Sequence, residues 1–336
     1  MHDMTVSDSR SDAAQFQGVA APHGLTAAPR RRLLAAALLP LLGGCAAVAG
    51  SPAQPADVRP APPVAEPAAK AATDPATESE PLSEEALQVD FLLLGEVHDN
   101  GAQHLLRLRW LEWLSASRRI ALAFEQLDAD RQGDLDRALQ ASAGTEPGVR
   151  ARRIAEAAGF NFDGWHWPFY APYFELALRR GLPLAAANLS RGDAMRIARG
   201  QAAAVPEPAA WREAERRAMA QAINAGHCGL MPPASITPMA NAQIARDRRL
   251  AESIVAAQRR YELPVVLLAG NGHVRRDIGV PGHLRDLAPQ ARVMSIGLIE
   301  RGDTDIAAYD RIAVTAAASR TDPCEALRRR SAPASR

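Results

Sequence analysis

From about residue 84 onward, short apolar runs bounded by polar or turn residues alternate with stretches of helical periodicity. The runs are Phe91 to Leu94, Ile120 to Phe124, Leu182 to Ala187, Pro264 to Ala269 and Ala291 to Leu298. They are short and continuously apolar, as expected of strands buried on both faces of a parallel sheet. Helical spacing occupies Gln103 to Leu114, Pro172 to Arg180 and Met239 to Arg260. The alternation predicts an α/β fold: a three-layer α/β/α arrangement with a largely parallel sheet. The stretch from about 200 to 240 differs, being rich in Ala, Glu and Arg and then broken at Gly226, Gly229, Pro232 and Pro233. Together with about 130 to 160 it reads as a small helical subdomain, which sets the folded domain at 84–318 and leaves a basic tail at 319–336.

The amino-terminal part has another pattern. Arg30 to Arg32 precede the apolar run LLAAALLPLL, which ends at Leu42-Gly43-Gly44-Cys45. This reads as an export signal with a lipobox over 1–45, in which Cys45 is lipidated and becomes the first residue of the mature chain. The run is too short for the roughly 20 residues of a bilayer span. Ala46 after the cysteine favours the outer membrane, so the expected location is the cell envelope, lipid-anchored and facing the periplasm. Residues 46–83 are rich in Ala, Pro and Glu, with too little apolar surface to offset the entropy of folding. They read as a disordered tether.

Charge and cysteines narrow the partners. Lys plus Arg (39) nearly balance Asp plus Glu (38), so no global field argues for nucleic acid. In an oxidising compartment the remaining Cys228 and Cys324 are a candidate disulfide, with two unpaired thiols as the alternative. Their spacing matches no zinc pattern.

Polar residues follow the apolar runs. The first run releases Glu96 and His98, with His104 a little further on; the second releases Glu125 and Gln126; others release Asn188, Asn271 and His273. In an open parallel sheet the crevice outside the carboxyl ends of the strands binds ligands, so these residues are expected to converge. His98 and His273 with carboxylates could hold a divalent metal. Equally, Glu96, His98, Glu125 and His273 could perform acid/base catalysis, or each group could be satisfied separately as a cap or a buried hydrogen bond. The segment GFNFDGWHWPFYAPYF, residues 159 to 174, holds eight of the sixteen Phe, Trp and Tyr residues. It reads either as core or as the lining of a pocket for a flat apolar ligand. In the second case Tyr170 and Tyr173 lie near the crevice, and tyrosinate is one axial ligand of haem iron.

Taken in order, GEVHDN, His104, AFEQ, WHWPFYAPY, HCGLMP, QIARDRRLA and LLAGNGHVRRDIGVP resemble the ChaN family of haem-binding lipoproteins. That family belongs to a wider group with Tiki-type proteases and erythromycin esterases. The resemblance implies an envelope-anchored haem-binding lipoprotein of haem and iron uptake. Its implied partners are haem, the bilayer through Cys45, an outer-membrane haem transporter and a second copy in a homodimer. The ligand-facing set it suggests is His98, His104, Glu125, Tyr170, Tyr173, Asn271 and His273. The wider group implies an alternative: a metal-dependent peptidase or esterase in which Glu96, His98, Glu125 and His273 are catalytic, with metal on His98 and His273.

Overall fold

The computed structural model describes residues 82–141, 146–322, 324, 325 and 328. Cys45, the export signal and nearly all of the tether fall outside them. Six strands, β1 (Phe91–Leu94), β2 (Ala121–Asp128), β3 (Leu184–Asn188), β4 (Val265–Leu268), β5 (Val293–Glu300) and β6 (Arg311–Thr315), form one sheet. The order is β3-β2-β4-β1-β5-β6 and every pairing is parallel.

The continuous apolar runs become buried strands because helices cover both faces. Leu92, Leu94, Leu122, Phe124 and Leu268 pack under α1 (Gly101–Ser117), α3 (Pro147–Ala157) and α4 (Trp167–Arg180), with Leu135 of α2 (Gln132–Ala141). The alternate positions Phe91, Leu93, Ala123, Ala185 and Leu267 pack under α7 (Pro233–Tyr261) and α9 (Val280–Leu287). Each fully buried Leu or Phe contributes about 1.5–3 kcal/mol through removal from water. Among the described residues no helix is long and apolar enough to cross a membrane.

The connections explain where a crevice opens. The β1 and β2 strands both run on into helices of the first face, whereas β4 leads through α8 (Asn271–Val274) into α9 on the second. Because β4 lies between β1 and β2, the chain parts to opposite faces on both sides of it. Leu268 is level with Leu94 on one side and with Phe124 on the other, so Glu96, Glu125 and Gly270 emerge at nearly the same height.

Two sequence expectations are revised. The edge strand β6 was not foreseen, because Arg311–Thr315 is short and leaves Ile312 and Val314 exposed. The stretches 130–160 and 200–240 do not form one subdomain. Leu135, Ala151 and Ile154 of α2 and α3 join the α4 core, whereas α6 (Glu213–Gly226) and the start of α7 build a small core from Trp211, Met219, Ala240, Ile244 and Ile278. The candidate disulfide between Cys228 and Cys324 is formed, the Cα atoms being 5.4 Å apart, and Arg320 of the basic tail is ion-paired.

Candidate functional site

Glu96 lies two residues beyond β1 on the α1/α4 face, completely buried. Its Oε2 pairs with the buried guanidinium of Arg107 in α1, and its Oε1 accepts a 2.7 Å hydrogen bond from the Tyr170 hydroxyl. Burial alone would push this carboxyl up, but Arg107, then the hydrogen bond from His98, bring it below the usual range, so it is an anion. His104 Nδ1 is 3.1 Å from the Tyr173 hydroxyl and 3.3 Å from Glu96 Oε2, while its Nε2 is 3.0 Å from the His98 carbonyl. Burial lowers His104 to about 4, so the imidazole is neutral and Nε2–H donates to that carbonyl.

Glu125 follows Phe124 on β2 and therefore faces the other way, towards α7. Its Oε1 meets Arg246 at 3.0 Å and His273 Nε2 at 3.2 Å, and its Oε2 accepts from the Gly270 amide at 2.7 Å. Asn188, at the end of β3, donates to the Glu125 carbonyl at 2.8 Å and accepts from Arg246 at 3.3 Å. Behind His273, Nδ1 is 2.5 Å from Asp247 Oδ1, and Gln243 lies 3.1 Å from the same nitrogen. Burial opposes charge on His273, but Glu125 and Asp247 outweigh it and lift the imidazole to about 9. Glu125 is held well below its ordinary value: burial is overcome by His273, with His98 and Arg246 adding to the effect. Burial raises Asp247 despite His273, so Glu125 is the more firmly ionised of the two carboxyls.

His98 joins the two clusters. It sits in the turn between β1 and α1, its side chain 45% exposed, with Nδ1 2.9 Å from Glu96 Oε1. The ring lies over Gly270: a Cβ there would come within 2.7 Å of His98 Cε1 and 2.8 Å of Nε2. Nε2 has no hydrogen-bond partner among the described residues, and the ring meets Trp165 edge-on at 4.8 Å. Trp165 and Phe169 are half-buried, Phe169 stacked on His104, while Trp167 packs against Phe160 and Phe162. Burial would lower His98, but the Glu96 hydrogen bond and the charge of Glu125 raise it.

Residues 82–284 match the sequence family described as haem-binding uptake, Tiki superfamily, ChaN. The chain belongs to this ChaN family. Among solved structures it is similar to that of cofacial haem binding to ChaN of Campylobacter jejuni, with a TM-score of 0.59 and 23% identity over 68% of this chain and 88% of that one. Two others are an erythromycin esterase, EreC, in its open conformation (TM-score 0.37, 14% identity, 64% and 71% covered) and the type III effector HopBA1 (0.39, 12%, 69% and 88%). The Campylobacter jejuni protein shares the fold; the other two are too remote to bear on the argument. No curated protein matches the chain.

The ChaN-family residues singled out from sequence do converge, but with unequal access. Tyr170 and Tyr173 differ from the expectation that either opens towards a ligand. Both are fully buried, Tyr170 donates to Glu96, and Tyr173 donates to the His104 carbonyl at 2.9 Å. Burial, reinforced by the charge of Glu96, raises Tyr170 far above an ordinary phenol and takes Tyr173 to about 12, which opposes the tyrosinate form. His104 likewise stands behind Glu96, not at its open side. Asn271 differs too: its amide donates to the Leu298 carbonyl and accepts from the Leu298 amide, which fastens β5. Gly95 makes room for this, since a Cβ there would lie 2.2 Å from Asn271 Oδ1.

Arg107, Gln243, Arg246 and Asp247 were missed. Arg107 shares a stripe with His104, Leu111 and Leu114, and Asp247 shares one with Ile244, Ala251 and Ile254. A charge on an otherwise apolar helical stripe was the available signal, because it must meet a counter-charge inside. Among the described residues no group of three or more His, Cys, Asp or Glu side chains is arranged to hold a metal ion. His98 Nδ1 and His273 Nε2 each meet a carboxylate, of Glu96 and Glu125 respectively.

Proposed function

We propose that this ChaN-family chain is a haem-binding protein of the cell envelope that serves haem and iron uptake, and that His98 is the residue facing the haem. The observation that carries the site assignment is His98 itself: half-exposed, Nδ1 tied to the Glu96 carboxylate, Nε2 unoccupied beside Trp165. A histidine that ligates a metal through one nitrogen ordinarily donates the other N–H to a carboxylate, which fixes the tautomer and strengthens the lone pair. Haem, when bound, supplies an iron that accepts such a lone pair and a flat apolar face that the half-buried aromatic rings can cover. Arg107 and Tyr170 hold Glu96 in place, and Glu96 holds the imidazole. The Leu42-Gly43-Gly44-Cys45 motif supports anchoring through a lipidated Cys45.

The test is a hemin titration of the purified protein. A saturable Soret shift is expected in the wild type and a strongly weakened one in His98→Ala. No saturable change in the wild type overturns the proposal.

A second reading is ester or peptide hydrolysis at the same crevice. It is favoured by the Asp247–His273–Glu125 relay, whose buried charges are costly to maintain for structure alone. Here His98 is the base that activates water. A screen of esters and peptides tests it, since an activity lost in His98→Ala is required.

A further inference from the structure

The turn that carries His98 is held on its inner side by α1. Val97 donates to Gln103 Oε1 at 2.6 Å, and His104 contacts the His98 carbonyl. Its outer side is held by the carboxyl-terminal segment that follows β6. Asn100 Nδ2 donates to the Ala316 carbonyl at 2.9 Å and to Glu300 Oε1 at 2.8 Å. Two residues on, the Ala318 amide donates to Glu300 Oε1 at 2.9 Å. Arg320 then bridges, with Nε 2.8 Å from Asp99 Oδ2 and Nη1 2.9 Å from Glu300 Oε2.

A terminal segment held only by such contacts frays readily, because partly exposed ion pairs hold weakly. Four residues beyond Arg320, however, Cys324 is bonded to Cys228 in the turn between α6 and α7. The α7 helix carries Gln243, Arg246 and Asp247 into the site. The segment is therefore fastened at both ends, at β6 and at the α6/α7 hairpin.

We propose that residues 316–322, closed off by the Cys228–Cys324 disulfide, form a strap that positions the His98 turn through Arg320 and Asn100. Arg320 is a positioning residue: it acts on Asp99, the neighbour of His98. A dithiol that passes two electrons and two protons to the sulfur–sulfur bond yields two thiols and is itself oxidised to a disulfide. The strap then opens and the His98 turn loosens. Ligand retention would thus depend on the thiol balance of the compartment. Only this last consequence rests on His98 being the haem-facing group.

Hydrogen–deuterium exchange of the intact protein, with and without dithiothreitol, tests the strap independently of haem. Opening the disulfide should speed exchange at Val97 to Gly101 by about tenfold or more while α1 and the sheet keep their protection. Arg320→Gln should reproduce the effect with the disulfide intact, and Arg320→Lys, which keeps the charge, should restore most of the protection. Hemin should dissociate faster from the reduced protein and from Arg320→Gln. Unchanged exchange in the turn, either after confirmed reduction or in Arg320→Gln, overturns the strap. Faster exchange in a protein that binds no hemin supports the strap and overturns the haem reading alone.

Discussion

His98 Nδ1 lies 2.9 Å from Glu96 Oε1, and the same carboxylate is ion-paired with Arg107 beneath it. A buried charge thereby reaches a half-exposed ring through one hydrogen bond. The ring and the carboxylate should respond to mutation in opposite ways. Removing His98 takes a partly exposed side chain from the surface, so His98→Ala should change unfolding stability by less than about 1 kcal/mol while hemin affinity falls. Urea unfolding and a Soret titration of the same preparation give both numbers.

Glu96→Gln leaves the Arg107 guanidinium buried without its counter-charge. Breaking one side of a buried pair costs about 3–5 kcal/mol, so this variant should lose most of that stability in urea unfolding. Hemin binding should weaken as well, measured in buffer without denaturant, because the imidazole loses its anionic acceptor. A Glu96→Gln protein as stable as the wild type would show that the Arg107 pair does not exist in solution.

The His273 relay predicts a pH dependence with a definite sign. Its folded value, about 9, is above the ordinary value of 6.5 for a free histidine, so protonation favours the folded state. That contribution is fully present below pH 6.5 and is lost as pH rises through 9. The difference amounts to roughly 3 kcal/mol. Glu125 works at the other limit, since its lowered value gives stability above the ordinary carboxylate range that is lost in acid. Unfolding measured from pH 6 to about 10 should show the alkaline decline in the wild type, and His273→Gln should flatten it.

Much of this arrangement was legible in the chain. The runs at 91–94 and 264–269 mark β1 and β4 almost to the residue, because strands buried on both faces tolerate no polar side chain. The first polar residues after them, Glu96 and Asn271, mark the carboxyl edge. What could not be read is direction. Glu96 and Glu125 both follow apolar strands, yet alternation sends one to α1 and the other to α7, and only the register fixes which. The same ambiguity hid the roles of Tyr170 and Tyr173. They lie three residues apart on one face of α4, and that face turned out to be the one packed on the sheet, behind Glu96.

Tyr170→Phe checks that inward placement. The substitution keeps the ring in the core and removes one buried donor to a carboxylate, which costs about 1.5–3 kcal/mol. Hemin binding should survive with only a modest loss, because Arg107 still holds Glu96. A tyrosinate-ligated haem, by contrast, would lose its charge-transfer absorption in Tyr170→Phe or Tyr173→Phe, and that result would bring a phenol out to the ligand.

Gly270→Ala separates access to the site from stability. The glycine has an ordinary negative φ of −64°, so its backbone tolerates a side chain. The added Cβ would meet His98 Cε1 at 2.7 Å, and the half-exposed ring can swing away into solvent. The fold should therefore lose little, less than about 1 kcal/mol, whereas the imidazole leaves Glu96 and its prepared orientation. If His98 faces the haem, Gly270→Ala should weaken hemin binding nearly as much as His98→Ala. Combining the two substitutions should add little, because each removes the same contact. Fully additive losses in that double-mutant cycle would place the haem away from the Gly270 turn.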